Sequence, residues 1–387
     1  MTVPSVNWNY PTAIKAGPGR IKELPDWCRE LGMARPLLVT DPGLAALPMI
    51  ADAVRGCRQA GLECGLFHEV KGNPTGRNVD DGVARYREGR HDGVIAFGGG
   101  SALDAAKAIA LMAGQKRPLW DFEDVGDNYL RVNVAGMAPV VAVPTTAGTG
   151  SEVGRASVIT DEAAQVKRII FHARMLPAIV ILDPELTVGL PPRITAATGM
   201  DALSHNLEAY CSPFFHPMAA GIALEGMRMI KEYLPQAVAD GADLQARQQM
   251  LVASSMGATA FQRGLGAMHA LAHPLGALYD AHHGMLNAIL MPYVLKANQH
   301  AVAPRLQALA RYLALPDDGP GAVLDWVLGL RETVGIPHTL ADIGIDDAQA
   351  ERVGRMASED PSGGTNPVAY TPDQYAELFR AAVRGIL

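Results

Sequence analysis

Residues 93–113 read GVIAFGGGSALDAAKAIALMA, and the change of character inside this stretch decides the fold. Its opening GVIAF is a near-continuous apolar run, which suits a strand buried on both faces. Three glycines and Ser101 follow at once, and an alanine-rich run of helical period comes next. Strand, glycine turn and helix in that order form the building unit of an α/β fold. Glycines at such a turn let backbone N–H groups approach a pyrophosphate, and the helix N-terminus adds favourable partial positive charge. A tight strand-to-helix turn needs glycine in any case, so the motif alone divides evenly between the two readings. Ser101 suits the N-cap, and Asp104 three residues later resembles a capping box. The third glycine of G-x-G-x-x-G is missing, so the turn departs from the common dinucleotide fingerprint.

The same grammar repeats on either side. Residues 36–40 (PLLVT), 139–143 (PVVAV) and 178–182 (AIVIL) are further apolar runs that end at Gly, Asp or Pro. Between the runs lie the amphipathic stretches 45–60, 78–89 and 102–113. This alternation predicts a parallel sheet covered by helices. After Asp183-Pro184-Glu185 the texture changes: Gly189 and Pro191-Pro192 punctuate the chain, and strand-like runs disappear. Helix-period sequence follows at 194–210, 218–234, 244–261, 286–298, 304–315, 322–334 and 372–386. The expectation is therefore an α/β dinucleotide-binding domain over residues 1–188 and an all-helical domain over 189–387.

Composition narrows the function classes. With 387 residues the chain exceeds the size at which one hydrophobic core stops growing, which fits two domains. A net charge of -7, with no basic stretch interleaved with aromatics, argues against nucleic acid or an anionic membrane as the partner. The four cysteines, at 28, 57, 64 and 211, lack zinc-ribbon or redox spacing and read as reduced thiols. Residues 1–14 lack a signal-peptide pattern, and the uncharged run 132–151 is broken by Pro139, Pro144 and glycines. Cytoplasmic residence is expected.

Two further elements belong to the first half. Residues 144–152 read PTTAGTGSE after a buried run, setting Thr145, Thr146, Thr149 and Ser151 on a glycine-bearing loop. A mere turn rarely needs so many hydroxyls, whereas a phosphate, ribose or carboxamide does. Asp41 ends the 36–40 run, where a carboxylate accepts hydrogen bonds from an adenine-ribose diol. The bland reading of Asp41 is a turn residue before Pro42.

The second half concentrates histidine. Asp201 and His205 are spaced i, i+4 in a helical run, so both project from one face. A second such pair, His269 and His273, lies in GAMHALAHP, and His282 and His283 come shortly after. Five of the chain's eleven histidines thus fall in or beside three short apolar segments. Isolated histidines such as His172, His216, His300 and His338 read as satisfied core residues. The cluster does not, because several imidazoles and a carboxylate in an apolar setting all need partners. A divalent cation satisfies them together, and imidazole with carboxylate suits Fe(II) or Zn(II) better than Mg or Ca.

With these motifs in this order, the chain resembles the iron-dependent (group III) alcohol dehydrogenases. GGGS, PTTAGTGSE, GMDALSH and HALAHPLG followed by HHG carry the likeness, which runs from Pro11 past Asn298. The resemblance implies metal ligands at Asp201, His205, His269 and His283. His273 would lie near substrate and nicotinamide as the catalytic proton relay. The nucleotide contacts it implies are Asp41, Asn73, Gly98, Gly99, Gly100, Ser101, Asp104, Thr145, Thr146, Thr149 and Ser151, with Lys167 near the nicotinamide ribose. Adjacent His282 and His283 leave room for a one-residue slip, and Gly284 favours His283. The implied reaction is hydride transfer between a small alcohol and NAD, in preference to NADP, with Fe2+ or alternatively Zn2+ as Lewis acid. A homo-oligomer, dimer or larger, is expected. The rivals are a hydroxy-acid dehydrogenase or maleylacetate-type reductase, in which Arg155 or Lys167 meets a carboxylate. A dehydroquinate-synthase-like enzyme and a non-catalytic protein with a vestigial metal site stand further off.

Overall fold

The computed structural model describes residues 6–8, 12–319 and 321–387, and the chain forms two compact units. The first runs through Thr146 and resumes over Gly150–Gly189; the second is Ala147–Thr149 with Leu190–Leu387. A three-residue piece of the hydroxyl-rich loop thus belongs to the helical unit, a threading that no single cut in the sequence expresses.

The first unit contains, in order, β1 (Val6–Trp8), β2 (Ala13–Ala16), α1 (Leu24–Glu30), β3 (Pro36–Val39), α2 (Pro42–Ala45), α3 (Pro48–Gln59) and β4 (Gly65–Phe67). It continues with α4 (Gly76–Glu88), β5 (Gly93–Gly98), α5 (Gly100–Met112), β6 (Val140–Pro144), β7 (Ala156–Asp161), β8 (Val166–Phe171) and β9 (Ile179–Leu182). The main sheet has the order β1-β2-β9-β6-β5-β3-β4; β1 is antiparallel to β2 and the other pairings are parallel. The four apolar runs of the sequence became β3, β5, β6 and β9, fully buried as their unbroken hydrophobicity requires. Leu38, Ile95, Phe97, Val141, Val143, Ile179 and Ile181 fill one core with Cys28 and Cys57.

The differences from expectation have local causes. The helix expected over 45–60 begins only at Pro48: Ala45 closes the short α2, and Pro48 holds Leu47 extended at φ -89°, ψ 148° before α3 starts. The β7–β8 hairpin escaped notice because β7 buries only alternate residues and offers no continuous apolar run. β4, with three residues, is too short for any period to register.

The second unit is helical: α6 (Pro192–Cys211), α7 (Pro217–Ala239), α8 (Leu244–Ala260), α9 (Ala267–Tyr279), α10 (His283–Asn298), α11 (Ala303–Tyr312), α12 (Ala322–Thr333), α13 (Ala350–Glu359) and α14 (Pro372–Arg384). Every residue of α6 from Thr195 to Cys211 is buried, which makes it the axis of this unit. It packs against α7, α8 and α10, and α9 packs against α10. α9 was hidden in the sequence by Pro274, which reads as a stop but lies inside the helix. No described helix is long and apolar enough to cross a membrane.

Candidate metal centre and nucleotide turn

Three helices of the second unit bring the predicted ligands together. Asp201 and His205 lie one turn apart on α6, His269 lies in the first turn of α9, and His283 is the first residue of α10. One potential ligand atom from each lies within 4.8 Å of all the others. Gly284 makes the approach of α10 to α6 possible: a Cβ there would stand 2.7 Å from the Ala197 carbonyl and 3.1 Å from the Asp201 Cβ. The choice between adjacent histidines has a structural basis. His282 is the N-cap of α10, its Nδ1 accepting from the Met285 N–H at 3.3 Å, while His283 Nε2 lies 3.7 Å from Asp201 Oδ1.

Hydrogen bonds on the far side of two rings set their tautomers. His205 Nδ1 donates to the Gly148 carbonyl at 3.2 Å, and His269 Nδ1 donates to Glu208 Oε2 at 2.6 Å. Each ring therefore presents its Nε2 lone pair to the cluster. Burial pushes His205 down to about 4, so that ring is neutral at neutral pH. Burial also pulls on His269, but the Glu208 carboxylate outweighs it, helped by Asp201 and Asp360, and the net direction is upward.

These donors fit a divalent cation. The Asn287 amide nitrogen lies 2.8 Å from Asp201 Oδ1, 3.2 Å from His269 Nε2 and 3.1 Å from His283 Nε2. An amide carries two hydrogens, so it cannot serve three acceptors at once. The surplus of lone pairs in a buried site is what a cation neutralises.

His273, one turn beyond His269, stands outside the four-residue set. Its ring stacks on His283 at 5.5 Å between centroids and 16° between planes. Its Nδ1 lies 2.8 Å from Asp360 Oδ2. The other Asp360 oxygen accepts from the Ser362 N–H at 2.9 Å. Burial raises the Asp360 carboxyl, but His273 and Ser362 overcome it and hold the group below its ordinary value.

In the first unit the predicted nucleotide residues gather at the carboxyl ends of neighbouring strands. Asp41 follows β3, the glycine turn follows β5, and Thr145 and Thr146 follow β6. The chain runs outward from β3 to β4, then returns to β5 on the other side of β3 and continues to β6, so the order reverses between β3 and β5. Ligands of open α/β sheets bind outside the strand ends at such a reversal. Gly98 has φ +148°, and a Cβ there would lie 2.8 Å from the Ala102 Cβ, so the turn requires glycine.

Several roles within this group differ from the sequence reading. Ser101 is not the N-cap of α5; Gly99 is, and the Ser101 hydroxyl donates to the Gly72 carbonyl. Asp104 closes no capping box. It accepts from the Ser151 hydroxyl and from the Val158 N–H at 2.9 Å, with Lys107 Nζ 3.2 Å away. Asp41 does cap a helix, its Oδ1 accepting from the Leu44 N–H at 3.0 Å. Asn73 Oδ1 accepts from Lys167 Nζ at 2.9 Å. Thr149 lies in the segment that belongs to the helical unit.

Sequence reasoning passed over Glu208, Asn287, Asp360 and Lys107. Glu208 had a signal, since it lies three residues after His205 and seven after Asp201, on the same helix face. Asp360 had none, being 87 residues from His273.

Comparison with known proteins agrees with this geometry. Residues 11–184 match the family described as iron-containing alcohol dehydrogenase, and residues 195–383 match the C-terminal part of the same family. The chain is 38% identical over 386 residues to the 4-hydroxybutyrate dehydrogenase of Cupriavidus necator, covering 97% of this chain and 99% of that protein. It is 34% identical to the NAD-dependent methanol dehydrogenase of Bacillus methanolicus, covering 97% of this chain and all of the other. A crystal structure of 1,3-propanediol oxidoreductase superposes with a TM-score of 0.89 at 34% identity, over 99% of this chain and 100% of that one. The strand-end glycine turn, the helical unit with its four converging candidate ligands and this full-length likeness together establish that the chain belongs to the iron-containing alcohol dehydrogenase family, as a metal-dependent, nicotinamide-linked oxidoreductase acting on CH–OH groups.

Proposed function

We propose that the protein interconverts small primary alcohols and aldehydes with NAD as hydride carrier and Fe2+, replaceable by Zn2+, held by Asp201, His205, His269 and His283. The observation that carries the reading is the convergence of four ligand atoms within 4.8 Å with the His205 and His269 tautomers already set. When bound, the cation supplies Lewis acidity that eases loss of the alcohol proton and polarises a carbonyl in reverse. Asp201 offsets part of its charge. His273 receives the proton at Nε2, because Nδ1–H is engaged by Asp360, and passes it to water. The N–H groups at Gly98, Gly99 and Gly100 face the pyrophosphate, and Asp41 takes the adenine-ribose hydroxyls through the oxygen that does not cap α2. Ser101, Thr145, Thr146 and Thr149 supply hydroxyls to the cofactor. Asp104 and Ser151 serve by holding the glycine-turn helix to the segment after the hydroxyl loop, and Lys167, steadied by Asn73, lies along the nicotinamide ribose.

A second reading is supported by the 38% identical relative named 4-hydroxybutyrate dehydrogenase: an ω-hydroxy acid as substrate. Arg155, exposed with its guanidinium 5.7 Å from the Phe171 ring centroid, or Lys167 would then meet the substrate carboxylate. One experiment separates the two: kcat/KM for 1,4-butanediol and for 4-hydroxybutyrate, on iron- and zinc-loaded protein, with NAD and NADP. Higher values for the diol with NAD support the first reading. A strong preference for the hydroxy acid supports the second, and no turnover of either refutes both. Cytoplasmic residence, supported by four free and buried cysteines, and a homo-oligomeric state complete the proposal; sedimentation measures the latter.

A further inference from the structure

α9 begins without help from its own sequence. Gly266 is its N-cap and supplies no side chain, so the first N–H groups of the helix look elsewhere for acceptors. Glu208, from α6, meets them: Oε2 accepts from the Gly266 N–H at 2.9 Å and Oε1 from the Met268 N–H at 2.7 Å. Asn366 Oδ1 takes the Ala267 N–H at 3.1 Å. A buried carboxylate at a helix N-terminus is favoured by the dipole as well as by the bonds. Glu208 is therefore fixed at both oxygens before His269 is considered, and His269 Nδ1 lies 2.6 Å from Oε2.

We infer that Glu208 is the positioning residue of the metal centre: anchored by the start of α9, it holds the proton of His269 on Nδ1, aims the Nε2 lone pair at the cation, and thereby sets how tightly the cation is retained. The inference rests on the ligand set proposed above. Its physical content is that a carboxylate behind a ligand imidazole fixes the ring's orientation and tautomer and makes it a better donor. An amide at the same place carries no charge and is a weaker acceptor for the Nδ1 proton, and whichever way it turns, its NH2 meets a backbone N–H that the carboxylate satisfied. Glu208→Gln therefore loosens both the anchor and the hold on the ring, and makes His269 a poorer ligand.

The test is competition for Zn2+ between the protein and a chelator of known affinity, on wild type, Glu208→Gln, His269→Ala and Asn366→Ala. Glu208→Gln should weaken zinc retention by about 10- to 100-fold, the range expected for loss of an outer-shell partner. Asn366→Ala removes an acceptor from the same helix start without touching His269, so it should lower the melting temperature yet keep zinc affinity within about threefold. Should Glu208→Gln fail to fold, nitrogen-15 spectra of histidine-labelled wild type decide, with the His269 proton expected on Nδ1. A proton on Nε2, wild-type zinc affinity in Glu208→Gln, or equal losses in Glu208→Gln and Asn366→Ala would overturn the inference. Zinc retained in His269→Ala would instead overturn the ligand assignment beneath it.

Discussion

At the carboxyl ends of β3, β5 and β6 a glycine turn and a helix start set backbone N–H groups beside the Asp41 carboxylate and the hydroxyls of Thr145 and Thr146. In the helical unit the candidate ligand atoms belong to side chains alone, delivered by three helices, with two of the rings braced from behind by Gly148 and Glu208. The difference follows from what is bound. A pyrophosphate spreads its charge over several oxygens and is met by a row of weak, closely spaced N–H dipoles, which demands room and positive φ more than chemistry. A divalent cation concentrates charge at a point and demands lone pairs of defined tautomer. One unit can therefore tolerate much side-chain change around its turn; the other cannot spare a single ring nitrogen.

The largest effect should come from the ligands themselves. His269→Ala and His283→Ala should each abolish both bound metal and turnover, because each removes an imidazole lone pair from the cluster, and His282, the imidazole adjacent to His283, is engaged as the cap of α10. Metal analysis alongside an NADH-oxidation assay measures this. Full metal occupancy in either variant would break the contrast, since the helical unit would then be as tolerant as the turn.

His273 sharpens the contrast inside the helical unit. It shares α9 with His269 and, like it, has a carboxylate at Nδ1, yet stands outside the ligand set. His273→Ala should keep metal and cofactor affinity and lower kcat by roughly 100-fold, the usual worth of a positioned proton-transfer group. Asp360→Asn should lower kcat in the same direction by less, because the ring remains but its tautomer is released. Metal lost from His273→Ala would place this ring among the ligands.

How much of this was legible follows from how far each feature travels along the chain. The i, i+4 spacing of Asp201 with His205 is local, so the helix period alone puts both on one face. The strands that became β3, β5, β6 and β9 were legible because burial on both faces leaves an unbroken apolar run. Partners chosen by tertiary packing leave no such trace. Nothing near His273 points to Asp360, and nothing near Ser151 announces that its hydroxyl belongs to Asp104. Ser101 was misjudged for a related reason: the capping-box pattern is present, but three successive glycines let the helix start earlier, at Gly100. Glu208 is legible by the same rule, since the helix period sets it on the face of α6 that carries Asp201 and His205.

The smallest expected effect tests whether a side chain matters on the side of the glycine turn. Asp41 ends β3, and its Oδ1 caps α2 by accepting from Leu44 N–H. Its second oxygen turns the other way, and a Cβ placed on Gly98 would lie 3.7 Å from Oδ2. A carboxylate oxygen beside the glycine turn accepts from ribose hydroxyls and repels a 2′-phosphate. The residues that follow, Pro42, Gly43, Leu44 and Ala45, bring no cation to relieve that repulsion. On the reading proposed above, discrimination between NAD and NADP would be a penalty against the second more than a reward for the first. Asp41→Gly removes the penalty and costs little in capping, since glycine at an N-cap loses only a few tenths of a kcal/mol. The variant should raise kcat/KM with NADPH by at least roughly tenfold, equal to about 1.4 kcal/mol of relieved repulsion. With NADH the change should be smaller and downward, because the proposed contact between the free carboxylate oxygen and the ribose hydroxyls is lost. Steady-state rates with both reduced cofactors and one shared aldehyde measure the ratio. A wild type that already prefers NADPH, or a variant whose ratio stays where it was, would reduce Asp41 to the cap of α2.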